Sequence, residues 1–177
     1  TISLSHRNFI RNKTIGTASQ NTLENCYKKI ANNIIQNDLD PTSIQKEFSS
    51  DNSYQKDQKI KDLLNDQTKN WYKTYGDLTR YLLEEINNST TTGFYPTEFI
   101  EIEHIMPQSL NNDWHKYIEK EKKLDDETKR IRYQEQFLHS IGNLTLLSRI
   151  LNETLQNDVY VKKLGSKTSS EPCYATE

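Results

Sequence analysis

Cysteine is scarce in this sequence, because Cys26 and Cys173 are the only two among 177 residues and lie far apart. Their spacing excludes a zinc ribbon and a disulfide framework, and it is typical of a protein of the reducing cytoplasm. Long apolar runs are also missing, so the sequence predicts no membrane span and no signal peptide. The chain opens with Thr rather than Met, and we expect it to be a fragment of a longer cytoplasmic protein.

The chain also has few aliphatic side chains, and it has no large excess of charge of either sign. Hydrophobic residues make up 33% of the chain and the mean hydropathy is -0.92, so we expect extended helices with wide polar faces. The 10 tyrosines add aromatic area that compensates for the missing aliphatics. A net charge of -2 does not indicate a nucleic-acid binder, so any contact with nucleic acid requires a local basic patch or a bound cation.

Helical periodicity dominates the first half of the chain. Residues 1–20 lack a sustained period and are predicted as an N-terminal loop, whereas residues 21–37 place apolar side chains at helical spacing. Three further helical segments follow: one near 41–48, one that covers 60–71 and stops near Gly76, and one near 77–86. The stretch 87–93, NNSTTTG, has no apolar residue and is predicted as a connector. We therefore predict a helical region over residues 1–95.

The first half of a candidate site lies in the segment 99–108, FIEIEHIMPQ. It is predicted as a short strand that ends in Glu103 and His104, before Pro107 turns the chain. A neutral imidazole accepts a proton near neutral pH, and a carboxylate binds a hard divalent cation. Neighbours on a strand point to opposite faces, so both reach one site only if the chain turns at once. The alternative is an exposed Glu and a partly buried His at a strand end.

The second half lies in the segment 138–155, LHSIGNLTLLSRILNETL. We predict a turn at Gly142, an apolar strand over 144–147 and a short helix that carries Asn152. The amide oxygen of Asn152 is a reasonable second ligand for magnesium. Taken separately, Asn143 after a glycine is ordinary turn chemistry, and Asn152 on a short helix is ordinarily solvated. Residues 112–138, between the two halves, are strongly charged and predicted as one or two surface helices.

The order of these residues resembles a known family. E-H-I-x-P, then G-N-L-T-L-L, then Asn nine positions after the first Asn, resembles the HNH (ββα-metal) endonucleases. The surrounding IEHIMPQS, GNLTLL and NETLQN, with His139 three positions before the glycine, look more narrowly like the C-terminal HNH-like domain of GmrSD-type modification-dependent restriction and SspE-like phage-defence proteins. The resemblance covers about residues 96–165, with the helical insert 112–138; residues 166–177 are predicted as a flexible tail.

The resemblance implies a fold and a role for each motif residue. The fold is α+β, mostly helical, with a two-stranded antiparallel hairpin and a following helix. His104 is implied as general base, and Asn143 as the residue that orients its loop. Glu103, where the family more often has Asp, and Asn152 are implied as ligands of one Mg²⁺ or Mn²⁺. His139 either contacts the scissile phosphate or packs under the turn.

Basic side chains near the proposed helix are candidates for binding the DNA backbone, with solvated surface positions as the alternative. They are Arg149, Lys162, Lys163 and Lys167.

The resemblance implies a metal-dependent DNA endonuclease that leaves 5′-phosphate and 3′-hydroxyl ends. It would be the effector part of a restriction or anti-phage protein, with an N-terminal nucleotide-using sensor domain elsewhere in the full-length chain. One alternative is a catalytically inactive nucleic-acid or protein-docking module that keeps the fold. Another is a purely helical adaptor with an accidental motif match.

Overall fold

The computed structural model describes residues 2–16, 18–51, 54–90, 100–165 and 173–174. Contacts between Cα atoms divide the chain into two compact units, residues 1–65 and residues 66–177. The domain boundary predicted at residue 95 falls outside the described residues and stays a prediction, as does most of the predicted tail over 166–177.

The first unit consists of helices. They are α1 (Ile2–Phe9), which continues into π-helical turns (Ile10–Ile15), α2 (Gln20–Asn37), α3 (Pro41–Ser50) and α4 (Asp57–Leu64). The side chain of Ser19 caps the start of α2, and that of Asp40 caps α3, which has Pro41 in its first turn. Buried side chains of α2 and α3 form the core of this unit: Cys26, Ile30, Ile44 and Phe48.

The prediction of an N-terminal loop over residues 1–20 is wrong, because residues 2–15 are helical. Tertiary contacts explain the difference. The buried side chain of Asn12 accepts a hydrogen bond from the backbone N–H of Gln55 at 2.7 Å. The guanidinium of Arg11 donates to the Gln55 carbonyl at 2.6 Å. Since part of the buried face is polar, including Asn8 and Asn12, the segment shows no apolar period in the sequence.

The second unit combines helices with one small sheet, and this confirms the predicted α+β class. Its elements are α5 (Gly76–Thr90), β1 (Ile100–His104), α6 (Asn112–Lys122), α7 (Glu127–Phe137), a 3₁₀ turn (Ile141–Asn143), β2 (Leu144–Ser148), α8 (Arg149–Leu155) and α9 (Tyr160–Leu164). In the part of the chain that the structure describes, no helix is both long and apolar enough to cross a membrane.

Two predicted helix boundaries differ from the structure. The helix that was predicted to cover 60–71 and stop near Gly76 ends at Leu64, so Trp71 lies in a turn rather than on a helix. Its side chain is 1% exposed, and its backbone N–H donates to the carbonyl of His139 at 3.0 Å. The predicted connector begins later than expected, since residues 87–90 continue α5. Tertiary burial of Trp71 explains its apolar signal without a helix.

Strands β1 and β2 pair antiparallel, although the two helices of the insert lie between them in the sequence. The register places Glu103 opposite Thr145 and His104 opposite Leu144. Helix α8 follows β2 directly, and the Ser148 side chain caps it by accepting from the Leu151 N–H at 3.3 Å. Leu147, Leu151 and Leu155 form a buried cluster that holds α8 against β2. The arrangement is strand, insert, strand, helix, as the resemblance implies.

The insert between the strands forms two helices, α6 and α7. Asn111 and Asp126 cap their first turns through side-chain oxygens. Trp114 is 3% exposed and Ile118 is 2% exposed, and both pack with Met106 just beyond β1. The insert is therefore packed against the end of β1 rather than extended into solvent. Trp114 serves as the apolar anchor of the inserted helices.

Candidate active site

Polar side chains at the end of β1 and along α8 line one cleft. Its volume is about 380 Å³. The loop after β1 supplies one wall and the end of α8 supplies the other. The lining residues are Glu103, His104, Pro107, Gln108, Ser109, Asn152, Gln156 and Asn157. The structure thus brings residues from both sequence motifs to the edge of a single concave surface.

Glu103 and His104 both reach this cleft although they are neighbours on a strand. Glu103 shares the face of β1 with Glu101, whose register partner is the buried Leu147 under α8. His104 is the last residue of β1, and the chain leaves the ladder directly after it. The chain leaves the strand directly after His104, and both residues line one cleft.

Asn143 holds the chain that leaves β1. Its Oδ1 accepts a hydrogen bond from the Met106 N–H at 2.8 Å, and its Nδ2 donates to the Met106 carbonyl at 3.0 Å and to the Leu138 carbonyl at 2.9 Å. Its backbone carbonyl accepts from the Ile105 N–H at 2.9 Å. The side chain is largely buried. Asn143 therefore fixes the backbone just after His104.

His104 and His139 form a contact pair beside an aromatic ring. The distance from His104 Nε2 to His139 Nδ1 is 3.1 Å. The Tyr72 ring lies 4.4 Å from the His104 ring and stacks on that of His139 at 5.9 Å with an interplanar angle of 11°. His104 is 5% exposed. Sequence analysis left two positions open for His139, and the structure packs it against the His104 ring.

Burial makes the neutral form of His104 strongly favoured. It lowers the pKa of this imidazole to about 4, with smaller contributions from His139 and from the Lys163 ammonium. Burial also lowers the pKa of His139, and Lys73 adds to that effect. Both imidazoles are therefore neutral at neutral pH. A neutral imidazole has a lone pair with which it can accept a proton.

The two predicted metal ligands each have a protein partner. Glu103 Oε1 accepts a hydrogen bond from the Lys163 ammonium at 2.6 Å. Asn152 Nδ2 donates to Glu101 Oε2 at 3.1 Å. Among the described residues, no three His, Cys, Asp or Glu side chains are grouped so as to hold a metal ion. Any cation in this cleft would depend on few protein ligands, with oxygen donors from Glu103 and Asn152.

The predicted DNA-binding residues fall into different environments. The side chain of Arg149 is 64% exposed and lies 3.0 Å from Glu153 of the same helix. The side chain of Lys162 is 62% exposed and lies 3.7 Å from Asp158, in the loop before α9. Lys167 lies outside the described residues. Lys163 differs from the surface cation that was predicted, because its side chain is 0% exposed. The ammonium of Lys163 is held inside the protein by Glu103.

Three residues of the site were missed by sequence analysis. Glu101 lies two positions before Glu103, so strand alternation alone could have placed it on the same face. Tyr72 gives no local signal, because a turn in a separate segment brings it to His104 and His139. Gln134 of α7 donates to the carbonyls of Pro107 at 2.7 Å and Gln108 at 3.0 Å. Only the packing of the insert reveals that contact at the cleft wall.

Replacement of Asn143 by Ala should lower the stability of the second unit by about 2–4 kcal/mol, because it leaves buried backbone groups of Met106 and Leu138 without partners. Urea denaturation followed by tryptophan fluorescence measures this, since Trp71 and Trp114 both lie in residues 66–177. The exposed Asn112 provides the matched control, Asn112→Ala. Equal midpoints for the two variants would contradict the role assigned to Asn143.

The low pKa of His104 predicts that the second unit loses stability as the pH falls. Above the ordinary pKa of 6.5 the imidazole is neutral in both states, so this stability is fully present. Between 6.5 and about 4 the unfolded chain takes up a proton that the folded protein does not. The free energy of unfolding should therefore fall by up to about 2 kcal/mol between about pH 7 and about pH 5 because of this group.

Urea denaturation of the wild type and of His104→Gln at both pH values measures this contribution. The variant should show the flatter pH dependence. An equal pH slope in wild type and His104→Gln would show that the native imidazole titrates normally.

Comparison with known proteins gives one match. Residues 54–174 match the model of the family described as GmrSD restriction endonucleases, C-terminal domain. No curated protein matches the chain, and no solved structure does. The matched region covers well over half of the chain and includes both motifs and the insert between them, and it supports a nuclease function in defence. The chain therefore belongs to the family of GmrSD restriction endonuclease C-terminal domains.

Proposed function

We propose that this chain is a metal-dependent, HNH-type DNA endonuclease domain that nicks or cleaves DNA and leaves 5′-phosphate and 3′-hydroxyl ends. The observation that supports it best is the shared cleft of Glu103, His104 and Asn152. A base candidate and two oxygen ligands converge there from a strand end and from the helix after the second strand. Family membership supports the coarser statement, a restriction-type nuclease domain.

The donor set at the cleft suits a hard cation. Mg²⁺ is usually bound through one or two carboxylates together with substrate phosphates and water. Glu103 offers one carboxylate and Asn152 one amide oxygen, with the remaining ligands coming from DNA and solvent. We propose one Mg²⁺ or Mn²⁺ per site. When bound, it would polarise the phosphodiester and stabilise the leaving 3′ oxygen.

His104 is the proposed general base. Because His139 contacts Nε2 at 3.1 Å, Nδ1 is the ring nitrogen that would take the proton from the attacking water. The negative charge of a phosphate in the cleft raises the pKa of this imidazole from about 4 towards the working pH, where a base is most effective. His139 and Tyr72 hold the ring from one side, and Asn143 holds the backbone that follows it.

DNA binding is assigned to exposed cations near the cleft. Arg149 begins α8 and Lys162 lies on α9, and both side chains reach solvent. Lys167 is a further proposed contact. These contacts are to phosphates and carry no sequence information. Recognition of modified DNA is therefore proposed for an N-terminal nucleotide-using sensor domain of the full-length, cytoplasmic protein, for which this domain is the effector.

A second candidate function is an inactive docking module that retains the fold. The observation in its favour is that both proposed metal ligands already have protein partners, Lys163 for Glu103 and Glu101 for Asn152. In that case the cleft would bind DNA or protein without cleaving it. Cleavage assays with matched variants separate the two functions.

Replacement of His104 by Ala should lower the rate of plasmid nicking by at least about 100-fold, since general-base catalysis contributes about that much. The assay follows the conversion of supercoiled plasmid to open circles in the presence of Mg²⁺ or Mn²⁺. Chelator should abolish nicking by the wild type. Circular dichroism shows whether the variant keeps its helical content.

His115→Ala is the matched control, because His115 lies on α6 and does not line the cleft. It should nick at the rate of the wild type. Nicking by the wild type that persists in chelator would contradict the metal dependence. No nicking by any variant, with DNA binding retained, would support the docking module instead.

Replacement of Asn152 by Ala should weaken Mn²⁺ binding by at least about tenfold, because changes around metal ligands typically cost 10- to 100-fold in affinity. Isothermal titration calorimetry in the presence of a short DNA duplex measures the affinity. Asn157→Ala is the control, since Asn157 lines the same cleft without an assigned role. Unchanged affinity in Asn152→Ala would remove this amide from the ligand set.

A further inference from the structure

Lys163 is an unusual charged residue of the second unit, because it is fully buried. Its side chain is 0% exposed, and its ammonium donates to Glu103 Oε1 at 2.6 Å and to the His104 carbonyl at 3.4 Å. Lysine is rarely buried to this extent unless it is paired. A long side chain from α9 therefore enters the protein and ends at the proposed metal ligand, Glu103, and at the backbone of the proposed general base, His104.

The ion pair of Glu103 and Lys163 is buried, whereas the ion pair of Glu101 and Arg149 on the same face of β1 is exposed. Glu101 lies 3.9 Å from Arg149, with side chains 46% and 64% exposed. Solvent screens such a pair, so it contributes little. Glu103 and Lys163 are 14% and 0% exposed, and charges interact strongly where water is excluded. Lys163 therefore dominates the electrostatic environment of the Glu103 carboxylate.

This pairing balances the charge of the cleft before any metal binds. The Lys163 ammonium already supplies a counter-charge for the Glu103 carboxylate. A divalent cation that binds Glu103 would meet an ammonium already attached to that carboxylate, and like charges repel strongly in a poorly solvated environment. The lysine stem is flexible, so the ammonium can move away from Glu103 when its side chain changes rotamer.

We propose that Lys163 is the resident counter-cation of Glu103, and that a divalent cation loading the cleft competes with it for this carboxylate. The inference rests on the proposed metal-dependent function and adds a residue that sets the affinity for the metal. It also accounts for a charge-balanced cleft that a DNA phosphate can approach before the metal is in place. In this view Lys163 is a positioning residue and an internal competitor, and it does not contact DNA.

The test compares Lys163→Met with Lys162→Met in the whole chain. Methionine fills the space of the lysine stem without its charge, and Lys162 is the adjacent but exposed lysine. Thermal melting is followed by tryptophan fluorescence in chelator and with added Mn²⁺. In chelator, Lys163→Met should melt at a lower temperature than the wild type, because Glu103 loses its partner. Lys162→Met should melt with the wild type.

Addition of Mn²⁺ should raise the melting temperature of Lys163→Met more than that of the wild type, since the metal replaces the missing counter-charge. The affinity for Mn²⁺ by calorimetry, without DNA, should increase by at least about tenfold as the repulsion is removed. An equal or smaller response to Mn²⁺ in Lys163→Met, or a reduced affinity, overturns the proposal. The pair would then be only a structural connection between α9 and β1.

A double variant covers the case in which Lys163→Met does not fold in chelator. Glu103→Gln combined with Lys163→Met removes both charges, so it should fold in chelator by circular dichroism and show no response to Mn²⁺. Failure of the double variant to fold would assign the loss to lysine packing and overturn the proposal.

Nicking and Mn²⁺ binding by the wild type distinguish a failure of this inference from a failure of the proposed function. Metal-dependent nicking by the wild type, without the extra response of Lys163→Met, contradicts the inference alone. Absence of Mn²⁺ binding in both proteins, with and without DNA, contradicts both.

Discussion

Pairing of β1 with β2 is the constraint on which the cleft depends. The two strands are separated in sequence by the whole insert, yet the register places Glu103 opposite Thr145 and His104 opposite Leu144. A shift by one residue would move every side chain of β1 to the other face of the sheet. The acids of β1 would then turn away from α8, and the cleft would lose its carboxylate. Strand register therefore determines which residues can act together.

Asn143 maintains this register at the His104 end of the strand pair, which lines the cleft. Three side-chain hydrogen bonds connect it to the backbone of Met106 and Leu138, at opposite ends of the insert. The insert is thereby closed at its base, while Trp114 and Ile118 pack it against the end of β1. A long insertion is tolerated because its ends are fixed and its own helices bury apolar surface. The loop after His104 thus has one defined path.

Charge compensation is the second organising feature of the site. A chain with a net charge of -2 places two acids on the cleft face of β1 and pairs each with a cation, Arg149 for Glu101 and Lys163 for Glu103. The exposed pair leaves its members available to solvent, whereas the buried pair fixes the carboxylate. Burial and neighbouring charges also keep His104 neutral. Burial therefore affects both proposed reactive residues: it favours the neutral form of His104 and shields the ion pair of Glu103 from solvent.

The sequence by itself determined the local chemistry of the motifs. Strand alternation, the turn before Pro107 and the helix after Ser148 depend on neighbouring residues, so the two strands and α8 were predictable from local patterns. The resemblance to the GmrSD-type domain was also carried by contiguous residues, and the family match confirms it. The α+β class follows from these elements together with the helical periodicity of the remainder.

Tertiary structure decided the features that depend on distant segments. The helical form of residues 2–15 depends on polar burial around Asn12, which has no periodic signature. Trp71 is apolar and buried in a turn, not on a helix, and its neighbour Tyr72 contacts His104 from that turn. The sequence predicts Lys163 to be a surface residue, because lysine is usually exposed. Its burial depends on the packing of separate segments and has no local signature. Local residues specify strands and helices, whereas burial and charge pairing arise only when separate segments meet.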